Sequence, residues 1–116
     1  MGVISIRILK FIVDGQTIKQ NPNCDFTGLV PGTDGYLAAE FSFSPEWNGA
    51  IKVAEFWRGV KEYPPQLLED GETCMIPAEA LKGKKLALRI IGKSKDAPRI
   101  ATGKIKVRQD GGRPWH

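Results

Sequence analysis

The sequence predicts an all-β fold, an antiparallel sandwich or barrel around one core. Three observations carry this. Runs with a period of two, rich in β-branched and aromatic residues, recur through the chain. Turn dipeptides separate them at spacings of roughly 8–12 residues, the rhythm of a sandwich. No run sustains the 3.6-residue period of an amphipathic helix over about ten residues. The 116 residues suffice for one domain and not for two cores. The 13 glycines and 8 prolines gather in turn-like dipeptides, which suits many short elements. About seven or eight strands and one short helical turn are expected, with residues 1–110 forming the module and 111–116 a flexible tail.

The elements follow in order. Val3–Val13 is dominated by β-branched residues and ends at Asp14-Gly15, a hairpin signal. Its even parity places Ile4, Ile6 and Ile8 inward, with Ile12 joining them unless the strand switches face midway, and Gln16–Gln20 pairs back. Asn21–Gly35 is loop, with Asn-Pro, Pro-Gly and Asp-Gly steps. Tyr36–Phe43 alternates, with Leu37, Ala39, Phe41 and Phe43 on the buried face. Ser44–Gly49 is a turn holding Trp47. Ile51–Trp57 is apolar on both faces, as a central strand is. Gly59 ends it, and Tyr63-Pro64-Pro65 makes an extended corner. Gln66–Ile76 reads as a hairpin turning at Asp70-Gly71. Pro77–Leu81 is one helical turn with Pro77 at its first position, stopped by Gly83. Lys84–Gly92 buries Leu86, Leu88 and Ile90. Lys93–Arg99 is a charged turn, and Arg99–Arg108 is the last strand, with Ala101, Gly103, Ile105 and Val107 opposite Thr102, Lys104, Lys106 and Arg108.

Charge is uneven. Residues 1–81 hold 6 Lys/Arg against 11 Asp/Glu, and residues 82–108 hold 10 against one. A basic last third suits a phosphate backbone, copies attached through opposite charges, or a solvated strand pair. Residues 82–108 contain no aromatic side chain, whereas single-strand binders interleave aromatics with charge, so nucleic acid is not the expected partner. No apolar run approaches the roughly 20 residues that span a bilayer, and the start is a poor signal peptide. Cys24 and Cys74 form no metal motif and are expected reduced.

The sequence offers little chemistry. Nucleophilic catalysis needs a positioned base, and the sole histidine is His116. Glu46, Glu55, Glu62, Glu69 and Asp70 read as strand and turn decoration rather than a catalytic pair. No phosphate loop or EF-hand pattern is present. The expectation is a protein that is not an enzyme and uses no cofactor or metal. The candidate interface residues are Trp47, Trp57, Tyr63, Trp115, Arg89, Lys104, Lys106 and Arg108. Trp47 and Trp57 are read first as core, with sugar or base stacking as the functional alternative. Arg89 with Lys104, Lys106 and Arg108 forms a positive stripe if their strands pair.

Phe41-Ser-Phe-Ser-Pro-Glu-Trp-Asn-Gly followed by Lys52-Val-Ala-Glu-Phe resembles an F-x-F-S-x-E-W-[D/N]-G…K-x-A-x-F pattern. The Asp70-Gly71 turn, Cys74-Met-Ile-Pro-Ala-Glu-Ala-Leu81, Gly83, Ile91-Gly92 and Arg99-Ile-Ala-Thr-Gly-Lys-Ile-Lys-Val107 continue it. The composite covers about residues 36–109. It is similar to modules in structural proteins of phages and prophages of Gram-positive bacteria: head fibre or decoration proteins and the amino-terminal domain of baseplate upper proteins. The resemblance implies an immunoglobulin-like sandwich that attaches to capsid, tail or baseplate. It implies virion proteins as partners, assembly in the host bacterial cytoplasm, and a homo-oligomer or symmetric array, such as a trimer. The short length shifts the expectation from receptor binding to attachment. A carbohydrate-binding module using Trp47, Trp57 or Tyr63, and a nucleic-acid binder using residues 82–108, are the alternatives.

Overall fold

The structure, a computed structural model, describes residues 6–30, 35–83, 85–94 and 99–109. Nine strands form among them: β1 (Arg7–Asp14), β2 (Thr17–Gln20), β3 (Leu37–Phe43), β4 (Ile51–Arg58), β5 (Lys61–Leu67), β6 (Thr73–Met75), β7 (Lys85–Lys93), β8 (Ile100–Ala101) and β9 (Ile105–Arg108). Two 3-10 turns, Pro45–Trp47 and Ala78–Lys82, accompany them. The first sheet has the order β2-β1-β3-β6. The second runs β5-β4-β7, and β7 carries both β8 and β9 on its other side. The all-β sandwich read from the sequence is the observed fold. Its pairings are antiparallel except that β1 and β3 run parallel, from Arg7 opposite Leu37 to Val13 opposite Phe43. The long segment between β2 and β3 supplies the return path that a parallel pair needs.

The core lies between the sheets. Leu9, Phe11 and Val13 meet Leu37, Ala39 and Phe41 from one side, and Ala54, Phe56, Leu86, Leu88, Ile90 and Val107 from the other. This overturns the inward face expected for β1. Ile6 and Ile8 are 47% and 42% exposed, Ile12 is half-buried, and Ile4 lies outside the described residues. The opposite parity wins because it carries Phe11, whose ring stacks on Phe41 at 5.3 Å and meets Phe26 edge-on at 5.3 Å. Arg7 shares that parity at the strand's end. Its guanidinium turns away and donates to the carbonyls of Asp25 and Thr27 at 2.9 and 2.6 Å, pinning the loop after β2.

Asp70-Gly71 does not close a hairpin. β5 belongs to the second sheet, whereas β6 pairs β3 in the first, so the turn carries the chain between layers. The Asp70 carboxylate accepts the Glu72 and Thr73 amides at 2.8 and 2.7 Å, and Gly71 adopts a φ of 81°. That local wrapping is an Asx turn, which serves a corner as well as a hairpin. Tyr63-Pro64-Pro65 belongs to β5, an edge strand, where proline's missing N–H is tolerated. Pro64 and Pro65 together face the single Glu55, between the pairs Phe56–Tyr63 and Ala54–Gln66. Pro77 stands just before the second 3-10 turn rather than inside it.

The last strand is interrupted. β8 pairs Ala101 with Ile91, but β9 pairs Ile105 with Leu88, a shift of one residue. The bulge flips the side chains, so Thr102 faces inward, contrary to the expected alternation. Its hydroxyl accepts the Ile90 amide at 3.1 Å and donates to the Gly103 carbonyl at 2.8 Å, which satisfies a buried polar group. The expected tail, 111–116, and most of the charged turn after Ser94 lie outside the described residues.

Candidate interaction surface

The outer face of the second sheet gathers the side chains with interaction chemistry. The β4–β7 register sets Glu55 opposite Arg89 and Trp57 opposite Ala87, and the β7–β9 register sets Ala87 opposite Lys106. Arg89 Nε lies 2.6 Å from Glu55 Oε1. Lys104 Nζ sits 4.0 Å from the centroid of the Trp57 ring, and the Arg89 guanidinium 5.6 Å from it. Trp57 is left 8% exposed. Its ring is therefore occupied by the chain's own cations, an arrangement stabilised by the negative face of the indole.

Beside this cluster runs an apolar row. Leu67 on β5, Val53 on β4, Ile91 on β7 and Ala101 on β8 are register partners in turn. Ile51 adds to it at 66% exposure and Leu67 at 52%. A shallow groove of about 800 Å³ opens here, lined by Gly49, Ile51, Val53, Ile91, Lys93 and Ser94. Lys93 is exposed at its rim, and Lys104, Lys106 and Arg108 lie exposed beyond the Arg89 pair. An apolar strip with cationic flanks suits a protein partner that offers apolar anchors inside an acidic rim.

The sequence-selected residues divide cleanly. Trp57, Arg89, Lys104, Lys106 and Arg108 come together on this face. Trp47 does not: it is 0% exposed and belongs to the core. Its Nε1–H donates to the Gly15 carbonyl at 2.8 Å, and Gly92 packs directly against its ring. Tyr63, 6% exposed, is also a core residue, and its buried hydroxyl has no hydrogen-bond partner among the described residues. Neither ring is presented as a platform for a sugar. Trp115 lies outside the described residues. Reading by residue type missed Ile51, Val53, Leu67 and Ile91. The signal was available, since Ile51–Trp57 is apolar on both faces and the second face needs a cover.

Several carboxylates have local partners. Glu55 holds Arg89, and Asp70 is held below its ordinary pKa by the amides of Glu72 and Thr73. Glu46 is lowered by the Ser44 hydroxyl. A polar cleft of about 460 Å³ over β1 and β3 contains Lys10 and Glu40, 3.8 Å apart, with Lys52 and Glu72 at its edge. Among the described residues, no group of three or more His, Cys, Asp and Glu is placed to hold a metal ion. Comparison with family models, with curated proteins and with solved structures finds no match for the chain.

Proposed function

We propose that the chain is a non-enzymatic structural module of a phage virion, an immunoglobulin-like sandwich that docks on a capsid, tail or baseplate protein. One observation supports the reading most. The string that resembles the phage modules converges on one internal joint. Phe41, Phe43 and Trp47 are in ring contact, with centroids 6.1 and 5.2 Å apart. Gly92 from the distant Ile-Gly step closes beneath the Trp47 ring. Ser44 Oγ accepts the Gly15 amide at 2.8 Å. Residues far apart in the string thus specify a framework, and the function falls to the outer surface. The docking face is the apolar row Leu67–Val53–Ile91–Ala101 with its cationic flank.

Co-sedimentation of the purified chain with virions tests this. Binding that Ile91→Asp abolishes, with the thermal melt retained, is the expected outcome. Equal binding by Ile91→Asp, or none by the native chain, contradicts it. The outward row Lys104, Lys106 and Arg108 favours a second reading, nucleic-acid binding. A gel shift that survives ~0.2 M salt would support it, because purely electrostatic affinity collapses there.

A further inference from the structure

We infer that copies of this chain associate side by side, the acidic β5 edge of one against the basic β9 edge of the next. The inference stands apart from the virion reading, and either can fail alone.

The sheet order carries it. β5 forms one edge of the second sheet, and β8 and β9 form the other. In β5 Lys61 and Glu62 are exposed, and at the corner that follows it Glu69, Asp70 and Glu72 are exposed, with the Lys52 ammonium close to Gly71. At the opposite edge Lys104, Lys106 and Arg108 are exposed, and Lys85 lies exposed beside Arg108. No acidic residue occurs from Ile100 to Arg108. Part of the uneven charge thus falls on opposite sides of the second sheet, acidic at the corner that leaves β5 and basic along β9.

This pattern selects the symmetry. A two-fold contact would set each edge against itself, like charge on like charge. A head-to-tail contact matches them, and such contacts close into rings or continue as arrays. Apolar features correspond as well. Leu67 is 52% exposed on the acidic edge. A groove of about 350 Å³ opens beside the basic edge, with Phe26 and Val107 among its walls and Lys106 and Arg108 at its rim. Extension by a simple backbone ladder is disfavoured, because Pro64 and Pro65 remove two amide donors from β5. Side chains must supply the contact.

Sedimentation velocity over a range of protein concentrations tests the inference. At ~0.02 M salt the average mass rises with concentration, and at ~0.5 M it returns to the monomer as screening shortens the reach of charge. Two charge-swapped proteins sharpen the test. Lys85→Glu/Lys106→Glu cancels the charge of the basic edge and leaves the acidic one native, and Glu69→Lys/Glu72→Lys turns the acidic edge weakly basic and leaves the basic one native. Each alone is monomeric, each keeps the native melt, and an equal mixture regains association. A native chain that stays monomeric at low salt overturns the inference. So does a mixture of natively folded variants that associates no better than its parts. Binding of a single-stranded oligonucleotide, lost in Lys85→Glu/Lys106→Glu and unaccompanied by self-association, assigns the basic edge to nucleic acid and also overturns it.

Discussion

Replacing Gly92 by alanine puts a methyl group where Trp47 already stands. The added carbon would lie 2.8 Å from two atoms of the indole ring and 3.1 Å from Ile100 Cγ2. The ring has nowhere to retreat: it is fully buried, and its N–H is bonded to the Gly15 carbonyl at 2.8 Å. Overpacking a tight core costs about 1–3 kcal/mol, and a rigid, hydrogen-bonded neighbour puts this site in the upper half of that range, near 2–3 kcal/mol. For a domain of this size each kcal/mol lowers Tm by roughly 4 °C, so Gly92→Ala melts about 8–12 °C below the native chain. Urea denaturation reads the same loss as a lower midpoint with an unchanged slope. Gly103→Ala is the control, because nothing lies within 4 Å of its added carbon. It costs less than about 0.5 kcal/mol. In a Trp47→Phe background, Gly92→Ala costs less than in the native chain, because the two positions share one space. If Gly92→Ala is no more destabilising than Gly103→Ala, the Trp47 joint is not the rigid centre described above.

Four other outcomes follow from the packing. Both cysteines are free, Cys24 half-buried and Cys74 buried. A thiol reagent at neutral pH labels Cys24 in the folded chain, and Cys74 only on unfolding; equal rates would contradict the burial. Burial, with the nearby Asp70 charge, pushes the Cys74 thiol from 9.0 up to about 12. Between those values the unfolded thiol releases a proton that the folded one keeps. Stability relative to Cys74→Ala is therefore unaffected below pH 9 and falls above it, by up to roughly 1.4 kcal/mol per pH unit. Lys104→Ala uncovers one face of Trp57, and acrylamide quenching of its fluorescence rises; unchanged quenching would refute the stacked arrangement. The Asp70 carboxylate, lowered from 3.8 by its amide donors, stabilises the corner above that pH and loses its hold as pH falls through the lowered value. Asp70→Ala removes this acid sensitivity and speeds amide exchange at Glu72 and Thr73.

The period-two pattern revealed most of the strands because one face of each is buried and the other wet. It failed where both parities are apolar. In β1 the isoleucines read as core, but aromatic stacking between Phe11 and Phe41 settles the face, and that contact depends on a partner 30 positions away. Asp70-Gly71 was legible as a turn but not as a passage between sheets, since an Asx turn fixes local geometry and says nothing about which sheet the next strand joins. The bulge at Thr102 was equally hidden, because it rests on a hydroxyl's bond to a backbone amide in another strand. At the candidate surface the basic row could be read from spacing alone. The apolar row beside it is created by register across four strands, and no single segment displays it.

The proposed role is incorporation into a virion through the outer surface of the chain, without catalysis. Quantitative mass spectrometry of particles purified from the strain that encodes it tests this most directly. Under that role the chain is found in intact particles, in a fixed ratio to the coat protein that survives extensive washing. Its absence from such particles, while the soluble fraction of the same cells contains it, would contradict the claim.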